Sequence, residues 1–205
     1  AALPNVSRSV RDPLGSNEVN VTGTLNVLEA ARRSDVGKVV YASSSSVYGD
    51  TEVLPKHEGM KPSPLSPYAV SKLTGEYYCR VYNMVFDLPT VCLRYFNVYG
   101  PRQNPSGEYS AVVPKFITRA MDGEPPVIYG DGSQTRDFTY VEDVVQANVK
   151  AGESEAEGIF NVSYGDRISV KELAEKIMNI LDVDLDLEYG PPRPGDVKHS
   201  LADIT

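Results

Sequence analysis

The chain has 205 residues, of which 41% are hydrophobic and 23% are charged, and its formal net charge is −8 at pH 7. This length is sufficient for one buried core, or for one domain and part of another. The sequence contains no run of about 18 apolar residues, so we expect no transmembrane span and no membrane partner. The acidic balance argues against a nucleic-acid partner, and any anionic ligand would depend on local arginine and lysine residues.

Cysteine and histidine residues give no sign of a metal site. Cys79 and Cys92 lack C-x-x-C spacing, and His57 and His199 lie far apart in the sequence. We therefore expect neither a bound metal nor a disulfide framework, and we take the cytoplasm as the default compartment.

Predicted helices and strands alternate along the chain. Helices are predicted at 13–33, 68–86, 112–121, 141–151 and 169–181. Strands are predicted at 38–42, 90–95, 127–129, 137–140, 159–162 and 185–189. This alternation predicts an α/β fold with a parallel sheet that binds its ligands at the carboxyl ends of the strands. Elements become shorter and loops more frequent after Gly100, which predicts a boundary between residues 1–100 and 101–205.

Tyr68 and Lys72 are predicted to share one face of a helix in the segment SPYAVSK, residues 66–72. Ser66 is a typical N-cap and Pro67 a typical first helical residue, so Tyr68 and Lys72 stand at i and i+4. A phenol titrates near pH 10 in water, and an ammonium beside it favours the phenolate. We therefore expect Tyr68 to act as a base with a lowered pKa. Two surface neighbours on an amphipathic helix would show the same short pattern, so that alternative stays open.

A run of serines follows the predicted strand 38–42 directly, in the segment ASSSSVYG at residues 42–49. Several hydroxyls are costly in a core but suit a polar ligand at the carboxyl end of a strand. A serine-rich turn is the plain alternative. Together with Tyr68 and Lys72 downstream, the run predicts that serine, tyrosine and lysine surround one reacting hydroxyl.

Further blocks complete a family pattern. They are NVTGT at 20–24, LRYFNVYGPR at 93–102, GDG at 130–132, TRDF at 135–138 and RPGD at 193–196. With the serine run and the tyrosine–lysine pair, these blocks resemble the extended short-chain dehydrogenase/reductases, and within them the UDP-hexose 4-epimerases. The likeness covers nearly the whole chain. It implies a Rossmann-like doubly wound parallel sheet, whose N-terminal part is missing here, and a smaller α/β substrate-binding lobe with some segments returning to the sheet.

The resemblance implies NAD-dependent 4-epimerisation of a UDP-hexose by transient oxidation at carbon 4. Tyr68 would be the base, Lys72 would hold the nicotinamide ribose and lower the pKa of Tyr68, and Ser44 would bridge the 4-oxygen. Other residues implied to contact NAD are Ala1, Ala2, Leu3, Asn20, Ala42, Ser43 and Tyr95.

The resemblance also implies a set of substrate contacts. Ser45 and Ser46 would line the sugar pocket, Asn97 and the arginines Arg136 and Arg193 would bind the diphosphate, and Asp196 would bind the uridine ribose. The planar forks of arginine suit phosphate oxygens. Without the family, an exposed ion pair with Asp137 is the less favoured alternative for Arg136. The remaining implied contacts are Phe96, Ala111, Val112, Val127, Ile128, Tyr129 and Ser200.

Two comparisons within the family narrow the expected reaction. Related 4,6-dehydratases carry an Asp-Glu pair where this chain has Ser45 and Ser46, and serines cannot act as general acid and base at pH 7, so dehydration is disfavoured. Ala111 and Ser200 are small where epimerases restricted to non-acetylated hexoses tend to have larger residues. Small residues predict room for an N-acetyl group, although they are compatible with both sugar types.

The chain lacks the glycine-rich turn and the following acidic residue of a dinucleotide fold. Its G-x-G sequence, at 130–132, continues to Thr135 where a third glycine is required. We therefore expect roughly 80 residues with the first strands and the pyrophosphate site to be missing before Ala1. The chain is then part of an epimerase, a nucleotide-sugar-binding chain without turnover, or a UDP-uronate epimerase or decarboxylase. The family also implies a homodimer through helices 13–33 and 68–86.

Overall fold

A computed structural model describes residues 2–105, 111–192 and 197–205. Its central sheet contains three parallel strands, β1 (Val39–Ser44), β2 (Thr90–Tyr95) and β7 (Gly158–Val162), in the order β1-β2-β7. β2 is the middle strand and is buried along nearly its whole length, which is consistent with the apolar residues Val91, Cys92 and Leu93 at its centre. The expected α/β fold with a Rossmann-like parallel sheet is confirmed, and β7 shows that the second half of the chain returns to this sheet.

Helices cover both faces of the central sheet. α3 (Gly23–Arg33) and α4 (Pro67–Phe86) pack on one face, where Cys92 meets Leu28 and Cys79. α6 (Val141–Glu153) packs on the other face against Val91 and Leu93. Successive residues of β2 therefore point to opposite faces and belong to different core clusters.

Local sequence signals fix the start of two helices. The side chain of Ser66 accepts a hydrogen bond from the backbone N–H of Ala69, and α4 begins at Pro67 as predicted. α7 (Val170–Leu181) begins with a capping box, in which the Ser169 and Glu172 side chains each bind the other residue's backbone N–H. The register of α4 matters for function because this helix carries Tyr68 and Lys72.

The first part of the chain is more irregular than predicted. α1 (Val6–Arg11) precedes α2 (Pro13–Asn17), and a π-helical turn at Glu18–Thr22 connects α2 to α3. The predicted helix at 13–33 is thus one continuous run with a wider turn in its middle, as π turns occur within α-helices. That turn contains the buried Asn20.

The smaller lobe is built from short strand pairs around α5 (Val112–Met121) and α7. β3 (Asn97–Tyr99) pairs with β6 (Phe138–Tyr140), β4 (Val127–Tyr129) with β9 (Glu188–Gly190), and β5 (Thr135–Arg136) with β8 (Ile168–Ser169). Its core contains Phe116, Ile128, Ala174 and Ile177.

Several predicted boundaries are corrected by the structure. The strand predicted at 185–189 covers Glu188–Gly190, and the helix predicted to close at Gly152 continues to Glu153. Asp137, predicted as the first residue of a strand, lies between β5 and β6, and its buried carboxylate accepts backbone N–H bonds from residues 164, 165 and 202. Among the described residues, no helix combines the length and the apolar character needed to cross a bilayer.

Candidate active site

Two adjoining cavities lie at the carboxyl ends of β1 and β2, beside the beginning of α4. Their volumes are about 590 and 760 Å³. Tyr68, Asn97, Ala111 and Arg136 line both cavities. We call the first, bounded by α5 and β4, the lobe cavity, and the second, bounded by the serine run, the serine cavity. The site therefore lies where a parallel sheet is expected to bind ligands.

The serine run turns the chain around the end of β1. Ser44 is the last residue of the strand and the N-cap of a 3₁₀ helix, Ser45–Tyr48, and its hydroxyl accepts a hydrogen bond from the Ser46 backbone N–H at 3.2 Å. Ser43, Ser44, Ser45 and Ser46 all line the serine cavity. The Ser46 hydroxyl is buried and has no hydrogen-bond partner among the described residues, so it is available to a polar ligand.

Tyr68 and Lys72 project from successive turns of α4 toward the end of β1. Lys72 Nζ donates to the Ala42 carbonyl at 2.7 Å and lies 5.9 Å from the Tyr68 ring centroid. Tyr41 flanks the ammonium on its ring face, at 5.2 Å from the centroid. Lys72 is buried but lines neither cavity, and it has no second hydrogen-bond acceptor within the described ranges. Lys72 is therefore enclosed behind Tyr68 and is not a surface side chain, so the surface-neighbour alternative is wrong.

Burial controls the ionisation of both side chains. Burial lowers the pKa of Lys72 to about 8, since nothing anionic offsets the loss of water around the ammonium. Burial raises the pKa of Tyr68, and an interaction with the Ser44 hydroxyl acts weakly in the opposite direction. The predicted lowering of the Tyr68 pKa is thus wrong for this structure, because burial of the phenol is the dominant effect.

Asn20 fixes the segment that precedes α1. Its side chain accepts from the Leu3 N–H at 2.7 Å and donates to the Leu3 carbonyl and to the Ser71 hydroxyl on α4. Ser9 also contacts α4, because its hydroxyl accepts from the Tyr68 backbone N–H at 3.0 Å. Ser9 was not predicted, and a lone serine on a short helix gives no sequence signal for such a bond.

Three further predicted residues lie at the carboxyl end of β2 and just after it. Tyr95 donates from its hydroxyl to Asn148 at 2.8 Å, and Phe96 packs on Tyr48. Asn97 follows at the start of β3 and borders both cavities. The three residues place an aromatic ring, a buried apolar wall and an amide side by side on the cavity surface.

Arg136 crosses the boundary between the two cavities. It is 8% exposed, and its Nη1 donates to the Thr135 carbonyl at 2.8 Å. Asp137 is fully buried and holds backbone amides, so an exposed ion pair between the two residues is excluded. Arg136 instead lines both cavities, and the bond to the Thr135 carbonyl holds its guanidinium in place.

The predicted residues divide into those that reach a cavity and those that do not. Ile128 lines neither cavity, and its side chain is fully buried in the core of the smaller lobe. Ala2, Leu3, Asn20 and Ala42 line neither cavity, while Ala1, Arg193 and Asp196 lie outside the described residues. Those that border a cavity, besides the four shared ones, are Ser43, Ser44, Ser45, Ser46, Tyr95, Phe96, Val112, Val127, Tyr129 and Ser200.

Three cationic cavity residues, Lys56, Lys115 and Arg119, escaped the sequence analysis. Lys56 is 1% exposed, donates from Nζ to the Gly49 carbonyl at 2.9 Å, and has its pKa lowered to about 8 by burial. Arg119 lines the lobe cavity and pairs with Glu124. Lys56 stands in a loop without periodicity, so no pattern could identify it, whereas the apolar stripe of α5 places Arg119 on a face that periodicity could have shown.

The site residues fit the nicotinamide end of a dinucleotide. Lys72 uses one of its three N–H donors within the described part of the chain, which leaves donors suited to a ribose diol. No glycine-rich turn for a pyrophosphate occurs in the sequence. In the described ranges, no cluster of three or more His, Cys, Asp or Glu residues could hold a metal ion.

Comparison with protein families and with curated proteins gives consistent results. A model of the NAD dependent epimerase/dehydratase family matches residues 1–163. A putative UDP-glucose 4-epimerase of Methanocaldococcus jannaschii is 42% identical over 205 residues, a match that covers 100% of this chain and 67% of the relative. The UDP-glucose 4-epimerase of Mycolicibacterium smegmatis is 44% identical, with 100% and 66% covered. The chain thus spans about two thirds of the length of these relatives.

Solved structures agree closely with this fold. A UDP-N-acetylglucosamine 4-epimerase from Methanobrevibacter ruminantium, in complex with UDP-N-acetylmuramic acid, superposes with a TM-score of 0.98 at 44% identity, covering 100% of this chain and 66% of that one. A UDP-glucose 4-epimerase of Thermotoga maritima with UDP-glucose gives a TM-score of 0.97 at 39% identity, covering 100% and 67%.

Proposed function

Because the chain belongs to the NAD dependent epimerase/dehydratase family, we propose that the protein containing it interconverts UDP-hexoses at carbon 4. The observation that carries this proposal is the convergence of Ser44, Tyr68 and Lys72 at the carboxyl end of β1, beside two cavities. UDP-glucose and UDP-galactose are the proposed pair of substrates.

The proposed roles follow from the positions of the side chains. The Tyr68 phenol takes the proton from the sugar 4-hydroxyl, and the Ser44 hydroxyl, which interacts with Tyr68, holds the 4-oxygen. Lys72 binds the nicotinamide ribose, and its positive charge opposes the rise that burial causes in the Tyr68 pKa. NAD supplies reversible hydride transfer when bound. Because the hydride returns to the sugar, the overall reaction needs no external oxidant.

The nucleotide is proposed to lie along the lobe cavity. Val127 and Tyr129 on β4 border this cavity and would flank the uracil and ribose. Arg136 stands between this region and the serine cavity, where it would bind the diphosphate together with Asn97. The hexose then falls in the serine cavity, within reach of Tyr68.

The hexose pocket is proposed to accept N-acetylated sugars as well. Ala111 and Ser200 border the serine cavity, and both side chains are small. A carbon-2 acetamido group requires volume at this wall, and large residues there would exclude it by overlap. Dehydration is not part of the proposal, since Ser45 and Ser46 replace the acid–base pair that elimination needs.

An exposed apolar stripe on α4 supports a homodimer. Tyr77, Val81, Met84 and Val85 recur at helical spacing and are 47–68% exposed. A contiguous apolar surface of this kind on a soluble domain typically marks an interaction site. Light scattering of the full-length gene product should give twice the subunit mass, and Val81→Arg should give the monomer. A monomeric wild type would rule out this assembly.

The test of the proposed function is product analysis with the full-length gene product. UDP-glucose should yield UDP-galactose, and UDP-galactose should yield UDP-glucose, without net consumption of NAD. Formation of a 4-keto-6-deoxy sugar, or of a pentose from a uronate, would assign a different activity of this family. Binding of UDP-hexoses without any turnover would identify a binding protein instead.

A further inference from the structure

A buried ion pair beneath the serine run has no task in the chemistry described above. Glu76 on α4 and Arg94 on β2 are each 2% exposed. Arg94 donates from Nε and Nη2 to the two carboxylate oxygens of Glu76, at 2.8 and 2.7 Å. The Ser43 hydroxyl donates to the same carboxylate, and the Arg94 guanidinium lies 4.6 Å from the ring centroid of Tyr48.

Stability alone does not account for such a pair. Two charges lose their hydration on burial, and apolar residues of similar volume usually give a fold that is equally stable or more so. Moreover, Arg94 Nη1 is buried and has no hydrogen-bond partner in the described ranges, which adds to the free-energy cost of burying the pair. The pair therefore requires an explanation other than cohesion of the core.

The position of Glu76 on α4 suggests that explanation. Tyr68, Lys72 and Glu76 stand at i, i+4 and i+8 and so occupy one helix face. Lys72 reaches the Ala42 carbonyl, and Glu76 reaches the next residue of β1, Ser43. Three successive turns of the helix thus face the end of β1, and a slide along the sheet would disturb every one of these contacts.

Arg94 ties the same carboxylate to a second strand. Ser43 and Arg94 are partners in the β1–β2 register, so the two donors to Glu76 come from adjacent strands at one level of the sheet. A two-point arginine–carboxylate contact restricts both distance and orientation, whereas an apolar contact allows the helix to slide. Glu76 is therefore held at one axial position relative to both strands.

We propose that Glu76 and Arg94 are positioning residues, which set the axial register of α4 on β1 and β2 and thereby place Tyr68 and Lys72 against Ser44. The proposal rests on the proposed function, because that register matters only if Tyr68 and Ser44 act on one hydroxyl. On this proposal the buried pair positions α4 and is not needed for the stability of the fold.

The decisive variant of the full-length gene product is the double substitution Glu76→Leu with Arg94→Met, which removes both charges and keeps the volume. It should melt within a few degrees of wild type and show kcat reduced by about 10- to 100-fold, since misplacement near 1 Å can cost about that much. KM for the UDP-hexose should change little. Glu175→Gln, which removes one half of the exposed pair with Lys171, is the matched control and should leave kcat unchanged.

A second readout does not depend on turnover. The Tyr68 phenol can be titrated by NMR in ¹³C-tyrosine-labelled protein, with Tyr68→Phe identifying its signal. In the double variant its pKa should rise, because the interaction with Ser44 that lowers it is weakened. A purely structural pair would leave this titration unchanged in a protein that is still folded.

Each result decides the question. A folded double variant with wild-type kcat and an unchanged phenol titration overturns the positioning role. If that variant does not fold, Arg94→Lys, which keeps the charge and loses the two-point contact, decides by the same readouts. If the wild type epimerises no UDP-hexose, the proposed function has failed, and the phenol titration alone tests the register.

Discussion

Replacing Ser200 with tyrosine should change which sugars the protein accepts. Ser200 is 5% exposed and borders the serine cavity with Ala111, so a phenol ring at this position must enter the space proposed for the carbon-2 substituent. Loss of a single apolar contact is worth only about 1–3 kcal/mol, whereas overlap with a filled pocket costs more. We therefore expect the preference for UDP-galactose over UDP-N-acetylgalactosamine to increase by about 100-fold or more.

The assay is the ratio of kcat/KM for the two substrates in wild type and variant. Activity on UDP-galactose should remain within a few fold of wild type. Ser200→Ala, which keeps the side chain small, is the control and should leave the ratio unchanged. A wild type that rejects acetylated sugars, or a variant that loses both activities equally, would refute the pocket-size reasoning.

Two further predictions concern stability. The pKa of Lys72 is about 8 in the folded protein and 10.5 in the unfolded chain. Between these values the unfolded state binds more protons than the folded state, so the unfolding free energy rises with pH. The cost of burying the ammonium therefore disappears as the pH rises. Relative to Lys72→Met, the wild type should gain about 2 kcal/mol in unfolding free energy between pH 7 and pH 9.5, and a constant difference in denaturant titrations would contradict this. Gly49 has a φ of 70° and its added Cβ would lie 1.9 Å from the Ser63 carbonyl oxygen, so Gly49→Ala should lower the unfolding free energy by about 2 kcal/mol or more. Gly37→Ala, where a Cβ meets nothing within 4 Å, should change it by less than about 0.5 kcal/mol, and equal effects of the two would reject the steric explanation.

Local signals made much of the scaffold predictable. α4 begins at Pro67 and α7 follows the Ser169 capping box, because the bonds that start these helices lie within a few residues of one another. The strand β2 could be recognised from its β-branched and aromatic residues, Thr90, Val91 and Tyr95. The same locality explains why Tyr68 and Lys72 could be placed on one face before the fold was known.

Features that depend on distant partners could not be predicted in this way. Ile128 was assigned to the ligand, yet in a three-residue strand no alternation shows which face is buried. The direction of the Tyr68 pKa shift depends on how completely the fold excludes water from the phenol. The role of the Asp137 carboxylate could not be predicted either, because it binds the backbone amides of residues 164, 165 and 202, which only the folded chain brings together.

The most direct test of the central claim is the turnover of Tyr68→Phe in the full-length gene product. The substitution removes one oxygen and keeps the buried ring, so the fold and the binding of UDP-hexose should persist. If Tyr68 transfers the proton, kcat for interconversion of UDP-glucose and UDP-galactose should fall by about 10²- to 10⁴-fold, the usual contribution of general acid–base catalysis. A folded variant with near-normal kcat would contradict the account.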